Sequence, residues 1–373
     1  MQNIRATLAL AGLASVITSW AAGAQGAPIP GALEPTDRNP LTRQGTRGAE
    51  FLHLFVGARG AAMAGAVVST VEGPTAMYWN PAGLATTEGF SIAASRENLY
   101  QGLDISHDFA GAALPVLGGV VGVHFNSLSS GDIPRTSIGQ APLDPDPIFG
   151  RNFTWTSTSI GVSYGRRLTD RLELGATGKY ITEGITDASI SWVGLDLGTV
   201  FNTGIYGLQV GASVQNIGPS SKMKGAAIRR LVDTDQFSLE RTAVDLTTRE
   251  TELPTLFRFS IGTDVLGRTG SLFGDGGGKH ALRGEMAVND AINTDIQLAF
   301  GGEYSFNNVA FLRAGKRFYN DERAIGGTKG MYGLSSGAGV RLPFRGRAVR
   351  FDYAYTSLGE LKNVQVFTFE FGK

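Results

Sequence analysis

Chemistry in a protein starts from a nucleophile, a base or a metal ligand, and this chain has few of each. It has no Cys and only four His, at His53, His107, His124 and His280. Hydrolysis needs a nucleophile and a base within hydrogen-bond reach, and none of these histidines stands in a recognisable nucleophile motif. The absence of Cys excludes disulfides and thiolate metal sites. Residues 273–280, FGDGGGKH, resemble a phosphate loop on the surface. Phe273 stands where the first Gly belongs, however, and His280 replaces the Ser or Thr. Asp144 and Asp146 make only a weak case for calcium. The residues therefore point to a chain that is not an enzyme and holds no cofactor or metal. Lys and Arg number 33, as do Asp and Glu. A neutral balance gives no electrostatic ground for a nucleic-acid partner.

The charges that remain are informative through where they recur. Charged residues are 18% of the chain, below the roughly 25% of soluble domains. Beyond the leader, no run of about 18 apolar residues provides a membrane helix. From residue 89 onward the pattern has period two. Val349, Phe351, Tyr353 and Tyr355 alternate with Arg350, Asp352 and Ala354. Phe257, Phe259, Ile261 and Val265 alternate with Arg258, Ser260, Gly262 and Asp264, and Leu282, Met286 and Val288 with Arg283, Glu285 and Ala287. A soluble sandwich alternates too, with its apolar face inward. Strands of about ten residues suit a tilted membrane crossing instead. Aromatics near strand ends, such as Tyr304, Tyr355 and Phe371, suit interfacial girdles.

The pattern predicts an all-β protein, a transmembrane antiparallel β-barrel of about 14 strands. Its links alternate in length, with tight turns near 115–118, 166–170, 202–204, 306–308 and 343–347. Longer links run over 127–152, 216–254 and 320–328. Short periplasmic turns and long outer loops produce this parity. One link, 267–279, breaks it. The polar faces then line a lumen with Arg258, Asp264, Arg283, Glu285, Asp295, Arg313, Arg350 and Asp352, joined by Lys179, Asp196 and Arg317. Both signs are present, so pairing across the interior is expected, since a dry unpartnered charge is costly. The charged loop 216–254 reads as solvated, with partner docking as the functional alternative.

Residues 1–24 carry Arg5, an apolar run and a small-residue end at Ala22-Gly23-Ala24, which fits a cleaved signal peptide. Residues 25–48, with four prolines, read as an extended tether. Residues 89–373 are the barrel. Between them, 49–88 read as a Gly/Ala-rich plug, with a periplasmic cap as the alternative. A barrel this wide has interior space that wall side chains alone leave unfilled. Pro74 starts a short helical turn over 75–80, which stops before Pro81. Asn80 and Pro81 are the expected hinge.

Residues 57–66, GARGAAMAGA, followed by 74–84, PTAMYWNPAGL, resemble the N-terminal signature of the PorV/PorQ family. That family is similar to the FadL transporters, whose hatch also ends in an Asn-Pro-Ala element. The positions that carry the resemblance are Gly57, Arg59, Gly65, Tyr78, Trp79, Asn80, Pro81, Ala82 and Gly83. The last strand departs from the family by ending Phe371-Gly372-Lys373. A PorV-like protein would sit in the outer membrane and pass secreted proteins with C-terminal sorting domains to type IX secretion components. A FadL-like protein would take up hydrophobic small molecules. The first is the expected function, and the second is the alternative. The implied partners are outer-membrane lipid and, on the first reading, that secretion machinery. A mixed-charge lumen tilts the choice toward secretion.

Overall fold

The computed structural model describes residues 45–100, 102–134, 152–185, 187–233, 241–267, 270–274, 276–318, 333–358 and 362–372. The expected signal peptide, residues 25–44 of the tether, Asp144 and Asp146 lie outside the described residues.

The alternating segments form one closed antiparallel barrel of fourteen strands. In chain order they are β1 (Ser91–Leu99), β2 (Ile105–Val116), β3 (Gly119–Ser129), β4 (Thr156–Arg167), β5 (Leu172–Ile185), β6 (Ala188–Asn202) and β7 (Gln209–Ile217). They continue as β8 (Leu256–Leu266), β9 (His280–Ala291), β10 (Gln297–Phe306), β11 (Ala310–Phe318), β12 (Leu334–Phe344), β13 (Arg347–Ser357) and β14 (Asn363–Gly372). Each pairs with its sequence neighbours, and β1 closes the cylinder on β14, with Ser95 opposite Thr368.

Successive side chains in a strand point to opposite faces, so the period-two pattern becomes an inside and an outside. In β13, Phe351, Tyr353 and Tyr355 are exposed, while Asp352 and Ala354 are buried. In β4, Ile160, Val162 and Tyr164 point out, and Ser157, Ser159 and Ser163 point in. Apolar outside with polar inside reverses a soluble domain and requires lipid as the outer solvent. Among the described residues no helix is long and apolar enough to cross a membrane.

Two tight turns, 117–118 and 345–346, place both residues at positive φ: Leu117 at 56° with Gly118 at 71°, and Arg345 at 48° with Gly346 at 77°. That geometry matches the twist of the flanking strands. The link 267–279 lies at this same short-turn end, so its length is no miscount. It extends the ladder beyond β8, with Leu272 N–H donating to Asp264 O at 3.1 Å and Phe273 N–H to Val265 O at 3.0 Å.

The opposite end carries the long links and is the outer end. The loop expected to be merely solvated is structured there. It holds a hairpin of Arg229–Asp233 with Arg241–Asp245. It is tied down by bridges Ser189–Lys224 and Ser221–Thr251, and Leu253 is buried. Tyr206 and Leu208 lie in the turn before β7.

Residues 49–86 lie inside the cylinder rather than beneath it. They form short 3-10 turns at Glu50–His53 and Pro81–Thr86 and two short helices, α1 (Ala58–Ala62) and α2 (Ala76–Trp79). The largest apolar cluster belongs to this plug, through Val56, Met63, Val67, Met77, Trp79 and Leu84, packed against Phe109 and Val120 of the wall.

Candidate functional site

The plug is shaped by its own sequence before the wall acts on it. α2 ends because Asn80 turns extended, at φ −161° and ψ 106°, as the residue before a proline is driven to do. Asn80 then caps the turn Pro81–Thr86, its Oδ1 accepting from Ala82 N–H at 3.2 Å. Sequence reasoning missed this second turn. Its signal was the Asn-Pro pair itself, a capping residue followed by proline at a first helical position. Gly57 and Gly65 sit at φ 80° and 87°. Gly60 lies flat on Trp79, and a Cβ there would fall 2.6 Å from the indole.

Polar side chains then fasten this backbone to itself and to the wall. Asn80 Nδ2 donates to Val68 O at 2.9 Å and to Thr199 O of β6 at 3.0 Å. With three side-chain hydrogen bonds and no exposed surface, Asn80 clamps this part of the plug to the wall. Gly83 N–H donates to Asn80 O at 3.0 Å, and Pro81 and Ala82 are buried. Trp79 Nε1 donates to Val56 O at 2.8 Å, and the Tyr78 hydroxyl to Leu52 O at 2.7 Å and to Leu54 O. Burial pushes the Tyr78 phenol above its ordinary range, so it stays a protonated donor. Gln215 of β7 donates to Tyr78 O at 2.6 Å, and Ser213 to Trp79 O at 3.1 Å.

The lumen charges divide into locks and pairs. Arg59 of α1 donates to Glu303 at 3.0 Å and to Thr70 O at 3.1 Å. Glu285 accepts from Ser69 N–H and Ser69 Oγ, both at 2.9 Å, and from Thr70 Oγ1 at 2.5 Å. Arg313 bridges Glu303 at 2.6 Å and Asp352 at 2.8 Å, and Arg350 meets Asp352 at 2.7 Å. Arg283 pairs with Asp264 at 2.8 Å, and Lys179 with Asp196 at 2.8 Å. Arg317 donates to Ala64 O at 3.0 Å and lies 4.4 Å over the Phe55 ring. Asp295 is the exception among the expected lumen residues. It is exposed, because β10 starts only at Gln297 and Asp295 falls in the outer turn before it. Arg258 faces the lumen, 4.5 Å over Trp79 and 5.5 Å over Tyr78.

Two environments result. At the inner end a polar cavity of about 380 Å³ lies between plug and wall, lined by Arg59, Glu72, Arg283, Glu303, Arg350 and Glu370 among others. At the outer end Phe51, Leu52, Ile181, Ile190, Trp192 and Leu253 form an apolar cluster, extended by the partly buried Leu54, Leu128 and Met223. The start of the plug is pinned beside it. Gly48 N–H donates to Glu252 O at 3.0 Å, Ala49 N–H to Glu183 at 2.7 Å, and Asn293 to Glu50 at 2.5 Å. Sequence reasoning missed this outer apolar cluster, whose residues come from the plug, β5, β6 and the loop before β8.

No protein-family model matches the chain, and no curated protein matches it by sequence. Solved barrels resemble it in shape. The Pseudomonas putida toluene transporter TodX is 11% identical, over 85% of this chain and 96% of that one, with a TM-score of 0.48. The Ralstonia pickettii toluene transporter TbuX is 12% identical, over 85% and 97%, at 0.49. A Pseudomonas aeruginosa FadL homologue is 12% identical over the same shares, at 0.48. The barrel itself is established by its own strand ladder.

What the arrangement can do follows from its polarity. The described part contains no group of His, Asp and Glu suited to a metal. The apolar cluster at the outer end packs against the start of the plug, and polar contacts such as Arg59 to Glu303 and Ser69 to Glu285 hold the plug to the wall.

Proposed function

We propose that this chain is a plugged outer-membrane channel that admits hydrophobic small molecules from the outer face. The observation that carries this reading is the apolar cluster of Leu52, Ile181, Ile190, Trp192 and Leu253, by which the start of the plug packs against the outer part of the wall. By sequence alone a mixed-charge lumen favours secretion over greasy cargo. The charges, however, are engaged with one another and with the plug, and the outer end of the plug packs into an apolar cluster. The resemblance of 57–84 to a secretion family concerns residues that here hold the plug in place. Nothing in the geometry supports the handling of secreted proteins, and uptake replaces it as the leading reading.

The test is uptake of a labelled monoaromatic hydrocarbon by cells that lack other channels of this kind and express this chain. Uptake above the empty-vector level is expected, and Ile181→Arg should abolish the gain by placing a charge in the apolar cluster. Absence of any gain, together with recovery of secreted proteins in a pull-down from solubilised membranes, would return secretion to first place.

A further inference from the structure

In β7 the buried positions Gly211, Ser213 and Gln215 face inward, so strict alternation would turn Asn216 out to lipid. It points inward instead. The pairing of β6 with β7 shifts between Leu195 and Leu197, so that Gln215 and Asn216 together stand opposite Asp196. That is a β-bulge, which re-aims a side chain. Asn216 takes φ 61° there and is 1% exposed.

The redirected side chain meets an amine and a carboxylate. Lys179 Nζ lies 2.5 Å from Asn216 Oδ1 and 2.8 Å from Asp196 Oδ2. Asp196 Oδ1 accepts from the Asn216 backbone N–H at 2.7 Å, and Asn216 Nδ2 donates to Pro254 O at 2.9 Å. Lys179 reaches this point over Gly194 of β6, where a Cβ would fall 3.2 Å from the lysine Cε. All three side chains are buried. With a C=O bond of about 1.23 Å, Nζ is at most about 3.7 Å (2.5 plus 1.23) from Asn216 Cγ. Reacting atoms about 3–3.5 Å apart form a near-attack pair. A lysine amine is a nucleophile once it has lost a proton, and the adjoining carboxylate is the base that can take it.

We propose that Lys179 and Asn216 become joined by an isopeptide bond, with Asp196 carrying the protons. Lys179 gives a proton to Asp196, and its Nζ bonds to Asn216 Cγ. The Cγ–Nδ2 bond then breaks. The departing NH2 group leaves as ammonium, with two protons from Lys179 that pass through Asp196, which ends as the carboxylate it was at the start. Nothing is oxidised or reduced, and no further reactant enters. The bond ties β5 to the end of β7 across β6, between residues 37 apart in sequence. It adjoins the outer apolar cluster, since Ile181 is two residues along β5 and Leu253 precedes Pro254. The crosslink therefore fixes the part of the wall against which the start of the plug packs. The proposal is independent of the uptake reading.

The experiment digests the purified, folded, full-length protein after denaturation and reads the peptides by tandem mass spectrometry. Trypsin together with a Glu-specific protease cuts after Glu183 and so separates Lys179 from Asn216. A branched peptide joining the two segments is expected, lighter than their sum by one ammonia and uncut after Lys179. Chain from inclusion bodies, which has not folded, should give the two segments separately, and the link should appear on refolding. Asp196→Asn keeps an acceptor for the Asn216 N–H but removes the proton carrier, so it should cut the linked fraction at least about tenfold. Lys179→Met should give no branched peptide at all. Recovery of both segments unmodified from the folded parent protein overturns the proposal. A link as complete in folded Asp196→Asn as in the parent overturns the role given to Asp196. If neither variant folds, as judged by heat-modifiable migration, the comparison of folded parent with inclusion-body chain decides.

Discussion

Asn80 serves three partners with one amide: Val68 O, Thr199 O and Ala82 N–H. Asn80→Ala strands two buried acceptors, each at a cost of about 1–3 kcal/mol. The barrel ladder does not use Asn80, so the variant should still migrate as a folded barrel while its leak conductance in planar bilayers rises. Unchanged conductance would mean that the remaining contacts suffice. Glu303 gathers Arg59 and Arg313, with Arg350 at 3.8 Å. Glu303→Gln leaves these cations without their shared anion, and losing one partner of a buried pair costs about 3–5 kcal/mol. A lower unfolding midpoint is expected, partly restored in the double variant Arg59→Met, Glu303→Met. A double variant no more stable than the single one would show that the pairing is not what matters.

Helices, strands and loops differed in how far the sequence disclosed them. All fourteen strands were legible, because lipid on one side and polar lumen on the other impose strict alternation on every one. The plug was legible as a Gly/Ala-rich insert, and α2 was legible from its flanking prolines. The clamping role of Asn80 was not, because it depends on Thr199, far away in sequence. The outer loop misled for the same reason. Its charges, such as Arg229 and Asp245, belong to an exposed hairpin, whereas Leu253, a single apolar residue near its end, is what packs inward. The hairpin 229–245 can therefore be replaced by a short Gly-Ser turn with no expected change in barrel stability, measured by the same migration assay. A fall in stability would show that the hairpin braces the rim. Gly315 of β11 is the opposite case. A Cβ there would come within 2.7 Å of the Ala64 backbone nitrogen, so Gly315→Val should displace the end of α1 and open a leak. A variant as tight as the parent protein would place that contact among the dispensable ones.

At the scale of the molecule, the direction of the chain matters more than any single contact. The described chain begins at the outer rim, where Arg47 pairs with Glu252 and Gly48 bonds the same residue. It descends through the lumen and leaves at the inner end into β1. The exposed Thr46 should therefore be reached from outside the cell. Because the chain has no cysteine, Thr46→Cys gives one label position, and a membrane-impermeant maleimide should modify it on intact cells. Labelling only after lysis would invert the orientation of the barrel.

A stopper fixed at both rims behaves like a rope tied at each end, not like a cork. It cannot be pushed out to either side, so opening is limited to the slack that sideways bowing allows. If the proposed uptake is right, the bore is thereby a sieve with an upper size limit, set by what fits along the rope.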